Sequence, residues 1–263
     1  MAAGRARSPT FYLLPPLPIR YSLFPTPPIN RYNTTMKTIG LIGGMSWEST
    51  AHYYVALNRE TAARLGGLHS APVIVHSVDF APIEARQRAG NWDAAGDELA
   101  RIAAGLEGAG AGLVGLATNT MHICAPQIRA ALSVPFLHIA TPTADALVAD
   151  GMLRVGLLGT RFTMEKRFYI EELEAAGLEV LVPDVGITNL NGIIYEELCR
   201  GIIREESRAI YVEAINRLRG RGAEAVILGC TEIGMLIDDD VSPLPTYDTT
   251  ELHARALVAA ALA

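Results

Sequence analysis

Ile39-Gly40-Leu41-Ile42-Gly43 and Val155-Gly156-Leu157-Leu158-Gly159 are the two stretches whose reading decides the fold. Each is a continuous apolar run closing on a glycine that leads into a helical pattern, which is how a strand buried on both faces turns tightly into a helix. A second pair follows: Ala111 to Asn119 matches Ala223 to Thr231, and this sets Thr118 opposite Cys230. The spacing is nearly kept, 75 residues from Gly43 to Thr118 and 71 from Gly159 to Cys230. Apolar strands ending on glycine recur in any α/β chain, so one short match means little; two at similar spacing point to an internal repeat.

Outward from these stretches, short β-branched runs alternate with helical ones. Strands are expected at Lys37 to Ile42, Pro72 to Val78, Gly112 to Leu116, Val134 to His138, Arg154 to Leu158 and Ala223 to Leu228. Helices are expected at Trp47 to Leu65, Ala94 to Gly108, Glu165 to Ala176 and Glu205 to Arg219, the last stopped by Gly220 to Gly222. Such alternation builds βαβ units and parallel sheets. The expected fold is therefore α/β, with two similar parallel-sheet lobes related by a pseudo-twofold. Residues 36–140 form the first lobe and 141–263 the second, with a terminal helix free to cross back. Ligands bind at the carboxyl ends of strands in open α/β sheets, so the pseudo-twofold turns both sets of ends, Thr118 and Cys230 included, toward one cleft.

Residues 1–35 differ in kind. They hold seven of the fifteen prolines, four arginines and no acid. An arginine-rich, acid-free start is the signature of a targeting peptide, but the prolines would break the amphipathic helix that import needs. The expectation is a disordered tail or an over-extended start, with the folded protein beginning at Met36 and carrying 18 basic against 28 acidic residues.

With 263 residues, half of them apolar, the chain can bury a large core, and it reads as soluble and globular. A formal charge of −6 argues against a surface that tracks phosphates, so nucleic acid is not an expected partner. No apolar run reaches the roughly 18 to 20 residues of a membrane span, and Phe11 to Ile19 is interrupted by three prolines. The three cysteines, Cys124, Cys199 and Cys230, are odd in number and widely spaced, which offers neither a disulfide framework nor a metal knuckle and suits a reducing cytoplasm. Lys37 and Lys166 are the only lysines, leaving few candidates for a Schiff base.

Gly43 to Thr50, containing Met45 and Ser46, opens a helix after a strand, so its free N–H groups and the helix dipole form an anion seat. It lacks the GxGxxG spacing of a dinucleotide site and the lysine of a phosphate loop. Thr118-Asn119-Thr120-Met121-His122 and Cys230-Thr231-Glu232 each sit where a strand ends and are rich in small polar groups able to grip a carboxylate. Position alone leaves Cys230 as either an acid/base or a buried inert thiol. Cys124 and Cys199 read as packing residues within helical stretches, beside apolar neighbours. His122, four residues after Thr118, either orients the site or packs beneath it.

Gly-Gly-Met-Ser at 43–46, Asn-Thr-Met-His at 119–122 and Gly-Cys-Thr-Glu at 229–232 are similar, in order and spacing, to the signatures of the aspartate/glutamate racemase family. The resemblance runs from Met36 to the C-terminus. It implies a two-lobe α/β fold with the site between lobes, a homodimer, no pyridoxal phosphate, no metal, and one thiol from each lobe flanking the α-carbon of L-aspartate or L-glutamate. Cys230 is then the base for the L enantiomer. Thr118 departs from the pattern, because most members carry a cysteine there and an alkyl alcohol is no match for a thiol as an acid. The same comparison puts Met45, Ser46, Asn119, Thr120, Thr231 and Glu232 around the substrate, with backbone amides near Ser46, Asn119, Thr120 and Thr231 on its α-carboxylate. Ile83 stands where aspartate-preferring relatives have an arginine; Arg86, Gln87 and Arg88 are the nearby donors able to replace it if they turn inward, and Gln87 is the one carried as a substrate-binding candidate because helix-surface charges usually stay in solvent. Cys199 and Arg200 precede Gly201, where some relatives have a lysine. Two other readings stay open: a single-cysteine decarboxylase or isomerase of the same fold, and a non-catalytic amino-acid-binding protein.

Overall fold

The computed structural model describes residues 36–263, so the expectation for residues 1–35 falls outside the described residues. In chain order the elements are β1 (Ile39–Gly43), α1 (Trp47–Leu65), β2 (Val73–Ser77), α2 (Phe80–Ala89), α3 (Trp92–Gly108), β3 (Leu113–Leu116), a 3-10 turn (Thr120–Cys124), α4 (Ala125–Ala130), β4 (Phe136–Leu137) and α5 (Ala140–Ala149). The second half runs β5 (Arg154–Gly159), α6 (Arg161–Glu165), α7 (Arg167–Ala175), β6 (Glu179–Leu181), α8 (Ile187–Glu196), a 3-10 turn (Leu198–Arg200), α9 (Glu205–Gly220), β7 (Ala225–Gly229), a 3-10 turn (Ile233–Met235), β8 (Thr246–Asp248) and α10 (Thr249–Leu262). No helix among the described residues is long and apolar enough to cross a membrane.

The strands form two four-stranded parallel sheets, ordered β2-β1-β3-β4 and β6-β5-β7-β8. The internal repeat extends to register: Ile39 pairs with Leu113 in the first sheet and Val155 with Ala225 in the second, the residues that the sequence match sets in correspondence. Each lobe thus repeats one order and one alignment of its central strands, which brings Thr118 and Cys230 to equivalent strand ends.

The pleat then distributes the side chains. Ile39 and Leu41 of β1, Leu113 of β3, Val155 and Leu157 of β5, and Ala225 and Ile227 of β7 all enter one apolar cluster shared by both lobes. The alternate residues face outward into separate clusters, Ile42, Val114 and Leu116 beneath α3, and Leu158, Val226 and Leu228 with residues of α8 and α9. Glycine is needed where helices press on the sheet: a Cβ on Gly115 would stand 2.8 Å from Leu257 Cδ1 of α10. That terminal helix lies against α1 and α5, and Lys37 N–H donates to the Ala261 carbonyl at 2.8 Å.

Four features differ from expectation. The helix from Glu165 is interrupted at Lys166, whose extended backbone (ψ 147°) separates α6 from α7. The strands β6 and β8 are three residues each, too short to show a period. Cys199 sits in a 3-10 turn, and Cys124 closes another and caps α4. All three cysteines are free.

Candidate active site

The carboxyl ends of β1, β3, β5 and β7 converge on one pocket, to which Met45, Thr118, Thr160 and Cys230 each contribute. The turn after β1 needs glycine at 44, where φ is +93° and a Cβ would strike the Val78 backbone. Ser46 then caps α1 by accepting from Ser49 N–H at 3.2 Å. Thr118 and Cys230 are 6% and 8% exposed, so both lie in the pocket almost covered. The Thr118 carbonyl accepts from His122 Nδ1 at 2.8 Å, while Ile139 N–H donates to His122 Nε2 at 3.1 Å. An acceptor at Nε2 places the proton on Nδ1, so His122 is a neutral donor that fixes the Thr118 turn.

The polar side chains close on one another across the cleft. Glu232 Oε1 accepts from the Ser46 hydroxyl at 2.7 Å, and Oε2 accepts from the Thr231 hydroxyl at 2.8 Å and the Cys230 thiol at 2.9 Å. Asn119 Nδ2 donates to Thr249 Oγ1 at 3.0 Å, and Thr120 and Thr160 share a hydrogen bond at 2.9 Å. The carboxylate gripped by the small polar groups is thus the protein's own, that of Glu232. At the two turns that follow β3 and β7, the Asn119, Thr120 and Thr231 N–H groups have no backbone acceptor among the described residues.

Burial, and then the neighbouring Glu232 charge, push the Cys230 thiol well above its ordinary range. Burial likewise raises Cys199, with Glu232 and Glu48 adding to it, and Cys199 lines the same pocket. Beneath Thr118, His122 packs edge-on against His138, ring centroids 4.4 Å apart, and lies 6.1 Å from His253. Burial lowers all three: His122 well below its usual value, with the two neighbouring imidazoles reinforcing it, His138 to about 3 and His253 to about 4.

One wall of the pocket is built by α2 and α8. Gln87, 2% exposed, receives the Tyr195 hydroxyl proton on Oε1 at 3.2 Å and donates from Nε2 to Met121 Sδ at 3.0 Å. Phe80 stacks on the Tyr195 ring at 6.5 Å. Arg86 pairs with Glu98 and Arg88 with Glu84, so only Gln87 of that trio turns inward. Ile83 is fully packed in the first lobe's own core. The structure therefore gathers Thr118, Cys230, Met45, Gln87, Asn119, Thr120, Thr231 and Glu232 at one pocket, and Ser46 reaches it through Glu232. Sequence reading missed Thr160, Tyr195, Phe80 and Cys199. Thr160 had a signal, since it follows Gly159 as Gly44 follows Gly43; Tyr195 and Phe80 had none.

Comparison with known proteins agrees with this geometry. The sequence profile of the Asp/Glu/Hydantoin racemase family matches residues 42–257. A crystal structure of a candidate Asp/Glu racemase from Yersinia pestis is 48% identical, covers 87% of this chain and 100% of that one, and superposes with a TM-score of 0.80. An aspartate racemase homologue from Pyrococcus horikoshii OT3 is 35% identical over 86% of this chain and 99% of its own, with a TM-score of 0.75. Among curated proteins, the broad specificity amino-acid racemase RacX of Bacillus subtilis is 27% identical over 162 residues, 60% of this chain and 68% of RacX. With a repeated sheet, a cysteine and a threonine at equivalent strand ends, and a profile match spanning both lobes, the chain belongs to the Asp/Glu/hydantoin racemase family.

Proposed function

We propose that this protein is an amino-acid racemase that inverts the α-carbon between Cys230 and Thr118, without pyridoxal phosphate or a metal. The observation that carries the reading is the Cys230 thiol held 2.9 Å from the Glu232 carboxylate, in a pocket that Thr118 shares from the other lobe. Neither lysine lines that pocket: Lys37 is exposed at the start of β1, and Lys166 lies over the Trp92 ring. A Schiff base has no local amine to form on.

In the proposed reaction the thiol proton passes to Glu232 Oε2, and the thiolate takes the α-proton of the L enantiomer. The C–H electron pair stays on the α-carbon and spreads into the substrate carboxylate, which the backbone N–H groups after β3 and β7 stabilise. A proton then arrives on the opposite face from the Thr118 hydroxyl or from a water it holds. Because an alkyl alcohol is so weak an acid, the two directions are unequal in their chemical steps. Aspartate and glutamate are the substrates that the resemblance implies. A homodimer in a reducing cytoplasm belongs to the same reading; it rests on the resemblance and the free cysteines, and light scattering tests the dimer.

The lone thiol of the Cys230/Thr118 pair also suits a one-thiol decarboxylase or isomerase. Incubating dialysed protein with single L-amino acids in deuterium oxide separates the readings. Deuterium entering the α-position, with the D enantiomer accumulating, supports racemisation, whereas binding without exchange would leave only an amino-acid-binding protein.

A further inference from the structure

The wall formed by α2 and α8 faces the pocket that Thr118 and Cys230 share, and its polar side chains are uncharged. The Gln87 amide carries two N–H groups, yet its only acceptor among the described residues is the Met121 thioether, a weak one. Gln87 is 2% exposed, so bulk solvent does not reach it. Tyr195 spends its hydroxyl proton on Gln87 Oε1 and keeps its lone pairs free. The pair therefore offers one spare donor beside one spare acceptor.

No Lys, Arg or His lines this pocket. The nearest arginines along α2 are held by Glu84 and Glu98. The charges felt at the wall are those of acids: Glu84 and Glu232 reach Tyr195, and Glu48 and Glu232 reach Cys199. A second carboxylate placed here would be desolvated beside like charge with no cation to pair it. An ammonium would find Glu84 already engaged by Arg88 at 2.6 Å, and Glu232 already accepting from the Ser46 and Thr231 hydroxyls and the Cys230 thiol.

Resting on the racemase reading, we infer that the preferred substrate has an uncharged side chain ending in a group that both donates and accepts a hydrogen bond, an amide or a hydroxyl, with Gln87 and Tyr195 as the residues that select it.

The test is α-proton exchange in deuterium oxide, followed by NMR on wild-type protein with L-glutamine, L-homoserine, L-methionine, L-glutamate, L-aspartate and L-lysine. The amide or hydroxyl substrate should exceed both acids and lysine by about tenfold or more in kcat/KM, and methionine by a smaller factor. Tyr195→Phe should lower the glutamine-to-methionine ratio about tenfold through KM while methionine itself changes little. If glutamate, aspartate or lysine exchanges fastest, the inference falls and the racemase reading stands. If methionine matches glutamine and Tyr195→Phe leaves their ratio unchanged, the selecting role of this wall falls. If no amino acid exchanges, the racemase reading falls and takes the inference with it.

Discussion

In the proposed reaction the Cys230 thiol must become a thiolate in surroundings that oppose it. Burial and Glu232 both hold the proton on sulfur; beside its transfer to Glu232, loss of that proton to solvent adds reactive thiolate as pH rises past the ordinary thiol value of about 8.5. The rate of exchange from the L enantiomer should therefore climb through that range without a plateau. Glu232→Gln removes the charge that raises the thiol and also the atom that receives its proton. The rising limb of the pH–rate profile should move to lower pH and level off on the order of a hundredfold below the wild-type rate at the highest pH measured. An unmoved limb would show that Glu232 does not act on Cys230. Cys230→Ser keeps the shape but places the pKa out of reach, so exchange should vanish while binding, followed by calorimetry, persists. Thr118→Cys gives the second face a competent thiol and should raise exchange from the D enantiomer more than from the L. Equal change in both directions would remove the asymmetry argued for this pair. Thr118 and Cys230 were readable from the repeat together with the motifs. Cys199 was not, because its apolar neighbours in sequence resemble those of any packed cysteine.

The elements around Thr118 carry an acid liability. His122 on the 3-10 turn, His138 after β4 and His253 on α10 are packed as neutral rings. His253 donates from Nε2 to the Leu137 carbonyl and accepts the Tyr53 hydroxyl on Nδ1, tying α10 to β4 and α1. Their folded pKa values lie below the unfolded 6.5, so the unfolded chain binds more protons as pH falls. The stability they contribute is complete above about 6.5 and is lost as pH drops toward 4 and 3. For His253 alone the loss is on the order of 3 kcal/mol at the acid end. His253→Gln should lower the melting temperature at pH 7.5 yet flatten its decline between pH 6.5 and 4; a decline as steep as wild type would place the liability elsewhere. These elements also show what a sequence can and cannot tell. Trp47–Leu65 was legible to the residue because a serine caps it and Gly66 ends it. The three-residue β6 and β8 gave no period to read. The α2–α8 wall was half legible: Gln87 was picked out by a resemblance, whereas Tyr195 comes from 108 residues further along, and only tertiary packing brings the two together.

For the whole molecule, two sheets do not mean two folding units. Tyr53 and Leu57 of α1, Ile139 and Leu147 beside or within α5, Tyr169 and Leu173 of α7, and Leu257 of α10 enter one cluster with strand residues from both sheets. Neither lobe can bury its inner face alone, so the cleft stands on a shared floor. Under the proposed function its polar roof, Ser46 on Glu232, Thr120 on Thr160 and Tyr195 on Gln87, exchanges partners with the substrate without the lobes separating. Leu257, fully buried and in contact range of Gly115, tests that dependence, because it belongs to the C-terminal helix yet presses on the first sheet. Leu257→Ala should cost about 2–5 kcal/mol. The loss should appear as one cooperative transition at lower urea, since packing shared by both sheets leaves no half that survives on its own. Hydrogen exchange under the same conditions reads the two sheets separately: amides of β1 and β5 should lose protection together and by the same factor. If β5 keeps its protection while β1 opens, or if urea resolves two transitions, the lobes are separable and the cleft is a hinge between two bodies instead of a groove in one.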